Sequence, residues 1–424
     1  MMAFLLVGLF LVLLLAGMPI VFSLAVSSLV YLLINGESLT IIPQTMFAGI
    51  NSFTLVAIPA FILAGNLMNE GGITDKIIQF SKASVGRVRG GLSLTNVASS
   101  LGFSGISGTA LADTASIGSV LIPAMKKEGY GPGFSAAVTS MSSTVGPMIP
   151  PSLPMIIVGT LAGASIGDLF LAGAIPGLLL ALGFFIVAYV VSVKRSYPKE
   201  NPVSTKELFK SFLGAFWALL MVFIILWGIL GGYFTPTEAA VVAVLYAFVI
   251  GAAVYRKLHL RNFPKLLIDT IVATAAILLL VGFANLFGWI LVSEGIPTML
   301  ADGLLSLTDN GVLIILMLLL LLLIVGMFME TIAALTILFP VLLPVAESIG
   351  MDTVHFGVVM VLALMIGLST PPVGVCLFVA ADLAKVSVGK AFKELIPFLG
   401  VSLAVLLLVS FIPSISLFLP GLFE

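Results

Sequence analysis

Residues 141–155 read MSSTVGPMIPPSLPM, and the chain on either side of them is strongly apolar. One regular helix cannot hold Gly146, Pro147, Pro150, Pro151 and Pro154 together. Gly weakens a helix, and Pro removes an N–H and clashes with the preceding turn. Lipid offers no partner for a freed N–H or C=O, so a broken helix survives at membrane depth only where protein or a water-filled cavity receives those groups. The stretch therefore predicts a membrane helix interrupted near its middle, with something packed against the gap.

Composition places the rest of the chain in the bilayer too. Of 424 residues, 60% are hydrophobic and 9% charged, against about 25% charged in a soluble domain. We expect an all-α polytopic membrane protein. The first 35 residues lack a basic n-region and a small-residue cleavage site, so they read as membrane helix rather than signal peptide. One cysteine, Cys376, excludes an internal disulfide framework or a cysteine metal cluster. His259 and His355 are too few and too far apart for a typical zinc site. Net charge −1 gives no reason to expect nucleic acid, and no GxxxxGK[ST] loop is present. Neither His neighbours a candidate Ser or Asp, so no enzyme is expected.

A membrane-crossing helix needs about 20 apolar residues. Apolar segments fall near 2–35 (two short helices broken at Gly17-Met18-Pro19), 54–69, 92–105, 108–125, 133–162, 165–193, 211–233, 237–255, 266–293, 311–328, 331–346, 356–384 and 395–418. Four are too short or interrupted to be simple spans: 92–105, 108–125, 311–328 and 331–346. They form adjacent pairs, joined at a 104–109 tip and at Met329-Glu330-Thr331, and read as two re-entrant hairpins. Charge tests this. With the N-terminus outside, the first hairpin entering from inside and the second from outside, all 18 Lys and Arg residues fall on the cytoplasmic side. The opposite loops (36–53, 163–167, 233–236, 294–310 and 347–355) then hold none. Both termini are expected to be periplasmic.

The break has a counterpart. VGPMIPPSLP (145–154) matches IGLSTPPVGV (366–375), LGFSG (101–105) matches LLIVG (322–326), and IPAMKKEGY (122–130) matches LPVAESIGM (343–351), all at one offset of 221 residues. The threading gives the two units opposite orientations, so they form an inverted repeat. The expected organisation is N-terminal scaffold helices (1–70), an amphipathic helix at the cytoplasmic interface (71–91), and a first repeat (92–193) with hairpin 92–127 and broken helix 133–162. A central linker with scaffold helices (194–293) follows. The second repeat (294–394) has hairpin 311–346 and broken helix 356–384, and a C-terminal helix (395–424) ends the chain. Residues 261–268 resemble the amphipathic stretch more weakly.

In secondary transporters, broken helices meet near the bilayer midplane, where unwound carbonyls hold cations and half-helix N-termini face anions. Each hairpin tip should sit beside the break of its own repeat. Site one then combines Ser104, Gly105, Ser107 and Thr109 with Ser143, Thr144, Gly146 and Ile149. Site two combines Gly326, Met329 and Thr331 with Gly367, Thr370 and Val373. Hydroxyls and bare carbonyls are hard, neutral ligands that suit sodium, whereas calcium usually wants several carboxylates. Such Ser and Thr residues also occur simply because they let membrane helices pack closely.

Asp113 lies in an apolar hairpin arm, either capping that arm or serving an ion-linked role. Glu330 is either a solvated tip residue or a coupling group, and Ser369 is a further substrate or coupling candidate. Asp269, near a helix start, suits the helix dipole. TPTEAA (235–240) reads as a structural helix start, with Thr235 and Glu238 forming a capping box around Pro236. Cys376, Trp217, Trp227 and Trp289 read as packing or interface residues. No Lys or Arg lies inside an apolar segment. An anionic substrate would thus be held by helix N-termini, hydroxyls and the sodium ions.

GTALADTASIGSVLIPAM (108–125), STVGPMIPPS (143–152), TPTEAA (235–240) and LSTPPVGVCLF (368–378) resemble the large membrane subunit of TRAP (tripartite ATP-independent periplasmic) transporters, in order and over essentially the whole chain. Within the family the sequence looks nearest the unfused large subunit of sialic-acid systems. The resemblance implies a bacterial inner-membrane protein with two partners, a four-helix small membrane subunit and a periplasmic substrate-binding protein. It also implies import of a carboxylate coupled to two or more sodium ions by an elevator motion, with no organic cofactor. The short N-terminus suggests that the small subunit is a separate chain. Other readings are a permease for another organic acid such as a C4-dicarboxylate, or a single-component sodium–carboxylate symporter.

Overall fold

The computed structural model describes residues 2–199, 204–308 and 310–423. The first half runs through α1 (Met2–Leu15), α2 (Ile20–Asn35), α3 (Ile41–Ile50), α4 (Ala57–Glu70), α5 (Ile73–Val85), α6 (Gly91–Ser107), α7 (Ala110–Lys127), α8 (Pro132–Ser143), α9 (Leu153–Ala162) and α10 (Ile166–Lys194). The second half holds α11 (Thr205–Leu230), α12 (Pro236–Val249, continued by a π-turn at Ile250–Val254), α13 (Phe263–Ser293), α14 (Ile296–Leu307), α15 (Gly311–Phe328), α16 (Thr331–Ser348), α17 (Thr353–Leu368), α18 (Val375–Ala384) and α19 (Val388–Phe411), before two short C-terminal turns.

The helix ends follow local chemistry. Thr235 and Glu238 form the expected capping box: the Thr235 N–H donates to Glu238 Oε2 at 2.7 Å and the Glu238 N–H to Thr235 Oγ1 at 3.2 Å. Asp352 caps α17 by accepting from the His355 N–H at 3.0 Å. The 141–155 stretch does break its helix. After α8 a 3₁₀ turn at Gly146–Met148 leads to extended Ile149, and α9 leaves at 41° to α8. Both Pro150–Pro151 and Pro371–Pro372 are cis peptide bonds.

The inverted repeat is larger than its motifs. Shifting α7 by 221 residues gives the bounds of α16. The same offset carries α2 onto α12, α3 and α4 onto α13, α5 onto α14, α6 onto α15, α8 and α9 onto α17 and α18, and α10 onto α19, within a few residues at each end. The repeat thus includes helices outside the hairpin units. The amphipathic stretch at 71–91 forms a helix over Ile73–Val85 that buries Ile73, Ile77 and Ile78 between α6 and α11. Its repeat equivalent is α14, whereas residues 263–268 are the first turns of the 31-residue α13. Two expected loops, 36–53 and 294–310, contain α3 and α14.

Packing sorts the helices into two groups. The hairpins α6–α7 and α15–α16 gather with α8–α10 and α17–α19, and α8 lies against α18 and α19. The other group is α1–α4 with α11–α13, where α4 packs on α12 and α13 on α3; α13 also packs on α16 of the first group, and α5 and α14 touch both. The loops sort as well. Loops carrying Lys and Arg meet one another: Gly90 N–H donates to the Pro198 carbonyl at 3.1 Å, Arg195 pairs with Glu394 at 2.7 Å and Lys257 with Asp75 at 2.8 Å. The loops free of Lys and Arg also meet: Thr54, Gly163–Gly167 and Phe234 line one cavity of about 510 Å³. The hairpins supply the two reversals that this segregation needs.

Hairpin two locks to its break through glycine. A Cβ on Gly367 would lie 2.6 Å from the Gly326 backbone, and one on Gly326 would lie 2.9 Å from the Leu364 carbonyl oxygen. Gly367→Ala should therefore destabilise the fold by about 1–3 kcal/mol, the ordinary cost of overpacking. Gly389→Ala, with nothing within 4 Å of its added Cβ, should not. Equal melting temperatures for the two purified variants would contradict this contact.

Candidate functional site

Each hairpin tip sits beside the break of its own repeat. A Cβ on Gly146 would lie 3.9 Å from the Ser104 Cβ and 3.9 Å from Asp113 Oδ2. On the other side the Gly374 N–H donates to the Met327 carbonyl at 3.3 Å. The breaks also touch each other's repeat, since the Ser369 hydroxyl donates to the Ser140 carbonyl at 3.2 Å. One hydrogen bond thus links α8 of the first repeat to the end of α17 in the second.

The site-one hydroxyls face a particular way. Ser104 donates to the Leu101 carbonyl (2.6 Å), Ser143 to Thr139 (2.8 Å) and Thr144 to Met141 (2.6 Å). A hydroxyl that has given its proton back to its own helix offers only lone pairs to a neighbour. Thr109 caps α7, its Oγ1 accepting from the Ala112 N–H at 3.4 Å. Gly105 and Ser107 lie on α6, with side chains outside the described residues. Ile149 follows in extended backbone.

Asp113 stands among these groups. Its side chain is fully buried and neither carboxylate oxygen has a hydrogen-bond partner. Ser100 and Ser143 lie alongside it, but their protons go to Ser142 Oγ and the Thr139 carbonyl. A buried carboxylate without a donor or a counter-charge is costly. This site therefore fits a cation: acceptor-only hydroxyls surround one unpartnered carboxylate. Of the two roles open to Asp113, capping belongs instead to Thr109.

Site two is built from the same parts with different chemistry. Thr370 donates to the Ile366 carbonyl at 2.7 Å, while the buried Thr331 hydroxyl has no partner. Met329 is buried at the tip, and Val373 is 43% exposed beyond the break. Glu330 occupies the position of Thr109 in the repeat and does the same work, its Oε2 accepting from the N–H groups of Ile332 (2.8 Å) and Ala333 (3.3 Å). The equivalent of Asp113 is Ala334.

Between the two tips lies a cavity of about 360 Å³, walled by Thr109, Ala110, Leu111, Pro147, Glu330 and Ala333 among others. The N-termini of α7 and α16 thus meet at one space. A second cavity of about 370 Å³ shares Thr109 and Ile277 with it and adds Asn66, Asn69, Ser116 and Asp269. Asp269 thus faces a cavity as well as the first turns of α13. A polar file through α6 and α8 went unnoticed in the sequence. The Asn96 amide donates to Thr139 Oγ1 at 2.7 Å, Ser142 donates to Asn96 Oδ1 at 2.9 Å, and Ser100 donates to Ser142. Its signal was present: Asn96, Ser100 and Ser104 recur every four residues along one face of α6.

Two opposed re-entrant hairpins, two broken helices and a cavity between their tips define a secondary-transporter type of membrane permease. The chain matches the family "Tripartite ATP-independent periplasmic transporter, DctM component" over residues 7–415, and it belongs to that family. It is 43% identical to the sialic acid TRAP transporter large permease protein SiaM of Vibrio cholerae, over 97% of this chain and 96% of that one. It is 36% identical to the C4-dicarboxylate TRAP transporter large permease protein DctM of Rhodobacter capsulatus, over 100% and 99%. Its fold is also similar to the crystal structure of the Alcanivorax borkumensis YdaH transporter, with a TM-score of 0.62 at 15% identity over 86% of each chain.

Asp113→Asn should raise the melting temperature in sodium-free, choline-containing buffer by a few degrees, because the unpaired charge is gone. The same variant should lose most of whatever stabilisation sodium gives the parent protein. A sodium-induced shift as large in Asp113→Asn as in the parent would detach Asp113 from the cation site.

Proposed function

We propose that this chain is the large permease of a sodium-coupled, binding-protein-dependent importer of a carboxylate substrate, with sialic acid the first candidate. The observation that carries the sodium coupling is Asp113, fully buried and unpartnered among hydroxyls that can only accept. A cation there neutralises the carboxylate and completes site one with Ser104, Ser143 and Thr144. The second ion sits beside the Gly326–Gly367 crossing, held by freed carbonyls with Thr331 and Thr370.

The substrate site is the cavity between the tips. Its carboxylate has no Lys or Arg to meet within the apolar segments. It meets the N-terminal N–H groups of α7, where the cap is the neutral Thr109 hydroxyl. The equivalent end of α16 already holds the Glu330 carboxylate. Sodium in the two sites supplies the remaining positive field, so substrate and cations complete one another's sites. The second cavity, beside Asn66 and Asn69, then lies on the route to the cytoplasm. In this reading the hairpin-bearing group moves as an elevator against the other helices, both termini face the periplasm, and the protein sits in the bacterial inner membrane. A small four-helix membrane subunit and a periplasmic binding protein complete the system. The identity to SiaM and its span favour sialic acid, and the match to DctM keeps C4-dicarboxylates as the second reading.

The test is uptake into proteoliposomes. With the small subunit, a sialic-acid binding protein and an inward sodium gradient, labelled sialic acid should accumulate, and omitting either partner should abolish uptake. Uptake by this chain alone would favour a single-component symporter, and accumulation of succinate alone would move the substrate to the C4-dicarboxylates. Thr144→Leu and Thr370→Leu should each raise the sodium concentration for half-maximal uptake about tenfold, or ~1.4 kcal/mol. Unchanged sodium dependence in both would count against the two ion sites.

A further inference from the structure

The loop leaving α5 and the loop returning from α10 lie side by side. Beyond the Gly90–Pro198 hydrogen bond, Arg89 and Lys199 form an isolated antiparallel bridge. Like charges placed directly opposite each other are destabilising unless something of opposite sign offsets them. No carboxylate among the described residues does so here, since Glu394 pairs with Arg195, Asp75 with Lys257 and Asp382 with Lys385. Arg87, two residues before Arg89, is exposed and also without an ion pair. The backbone pairing thus brings Arg89 and Lys199 together with Arg87 two residues away, and none of the three has an ion-pair partner among the described residues.

Beside this loop, α5 and the first turns of α11 enclose a groove of about 390 Å³ lined by Phe80, Ser84, Thr205, Leu208, Phe209 and Phe212. Phe80 and Phe212 tilt together at 5.6 Å, yet Phe209 is left 61% exposed. Lys206 and Lys210 flank this wall on α11, and the nearby Glu207 is held by the Ser204 cap. An apolar slot with hydroxyls at its mouth and unpaired cations beyond has the chemistry of a lipid site: chain in the slot, phosphate at the rim. We propose that the α5–α11 groove, with Arg87, Arg89 and Lys199, binds an anionic phospholipid. Its assignment to the inner leaflet rests on the orientation given above, but the binding itself does not. Because α5 joins the two packing groups, such a lipid would wedge the connection between them.

The test uses the purified full-length chain and needs no transport. Delipidated protein is given phosphatidylglycerol, phosphatidylcholine or soluble glycerol phosphate. Bound lipid is counted by native mass spectrometry and stability is read by thermal melting. We expect phosphatidylglycerol to be retained and to raise the midpoint by several degrees, with little effect from the other two. The combined change Arg87→Gln, Arg89→Gln and Lys199→Gln should reduce retained phosphatidylglycerol at least severalfold, and Phe209→Ala should weaken retention with all the charges intact. Lys390→Gln with Lys393→Gln, on the same end of the molecule, should leave it unchanged. Equal retention of phosphatidylcholine, an equal loss in the Lys390/Lys393 control, or full stabilisation by glycerol phosphate would each overturn the proposal. Should the triple variant fail to fold, retention of phosphatidylglycerol over phosphatidylcholine by the parent protein decides, with Phe209→Ala as the local probe.

Discussion

A backbone freed from its helix inside a bilayer must be received by protein, and the rest of this molecule is arranged around that requirement. Each broken helix has a hairpin tip against its gap, and each hairpin is itself a break that the helix must cover. Neither half of such a pair is stable in lipid alone. The Gly326–Gly367 approach shows how tight the cover is, since even one methyl group has no room there. The first repeat solves the same problem more loosely. A Cβ added to Gly146 would still stand about 4 Å from Ser104 and Asp113, and polar side chains lie where backbone contact lies on the other side.

That difference explains which parts of the fold could be read from the sequence. The breaks, hairpins and their register were legible because Gly and Pro mark broken backbone directly, and because Lys and Arg are confined to one set of loops. The wider repeat was not. Helices α2, α4, α12 and α13 share an offset but no matched Gly or Pro beyond Pro264, which falls on Pro43 of α3, as unbroken helices facing other helices tolerate any apolar residue of suitable size. Helix α14 was hidden for a related reason. Its equivalent, α5, announces itself with Lys76 and Lys82, while α14 lies among the loops that carry no Lys or Arg, leaving an amphipathic pattern without its usual marker.

The site was legible as places and only partly as roles. Position 109 and position 330 are equivalent caps, one a hydroxyl and one a carboxylate, and only the backbone shows that Glu330 is engaged with two N–H groups rather than free at a tip. The direction of a hydroxyl proton is likewise invisible in sequence. Ser104, Ser143 and Thr144 turn lone pairs outward because each donates backward along its own helix.

The two halves therefore share a frame and divide the chemistry. In the first, the acid is displaced four residues past the cap, buried, and left without a donor. In the second, the acid is the cap itself, and the position four residues on is Ala334. A buried unpaired acid responds strongly to any cation that arrives, whereas an acid already bonded to a helix N-terminus has much of its charge met. An inverted repeat with two like halves would place the same charge in each. This repeat leaves an unmet charge in one half and a charge met at a helix end in the other, and the cavity between the tips touches both halves.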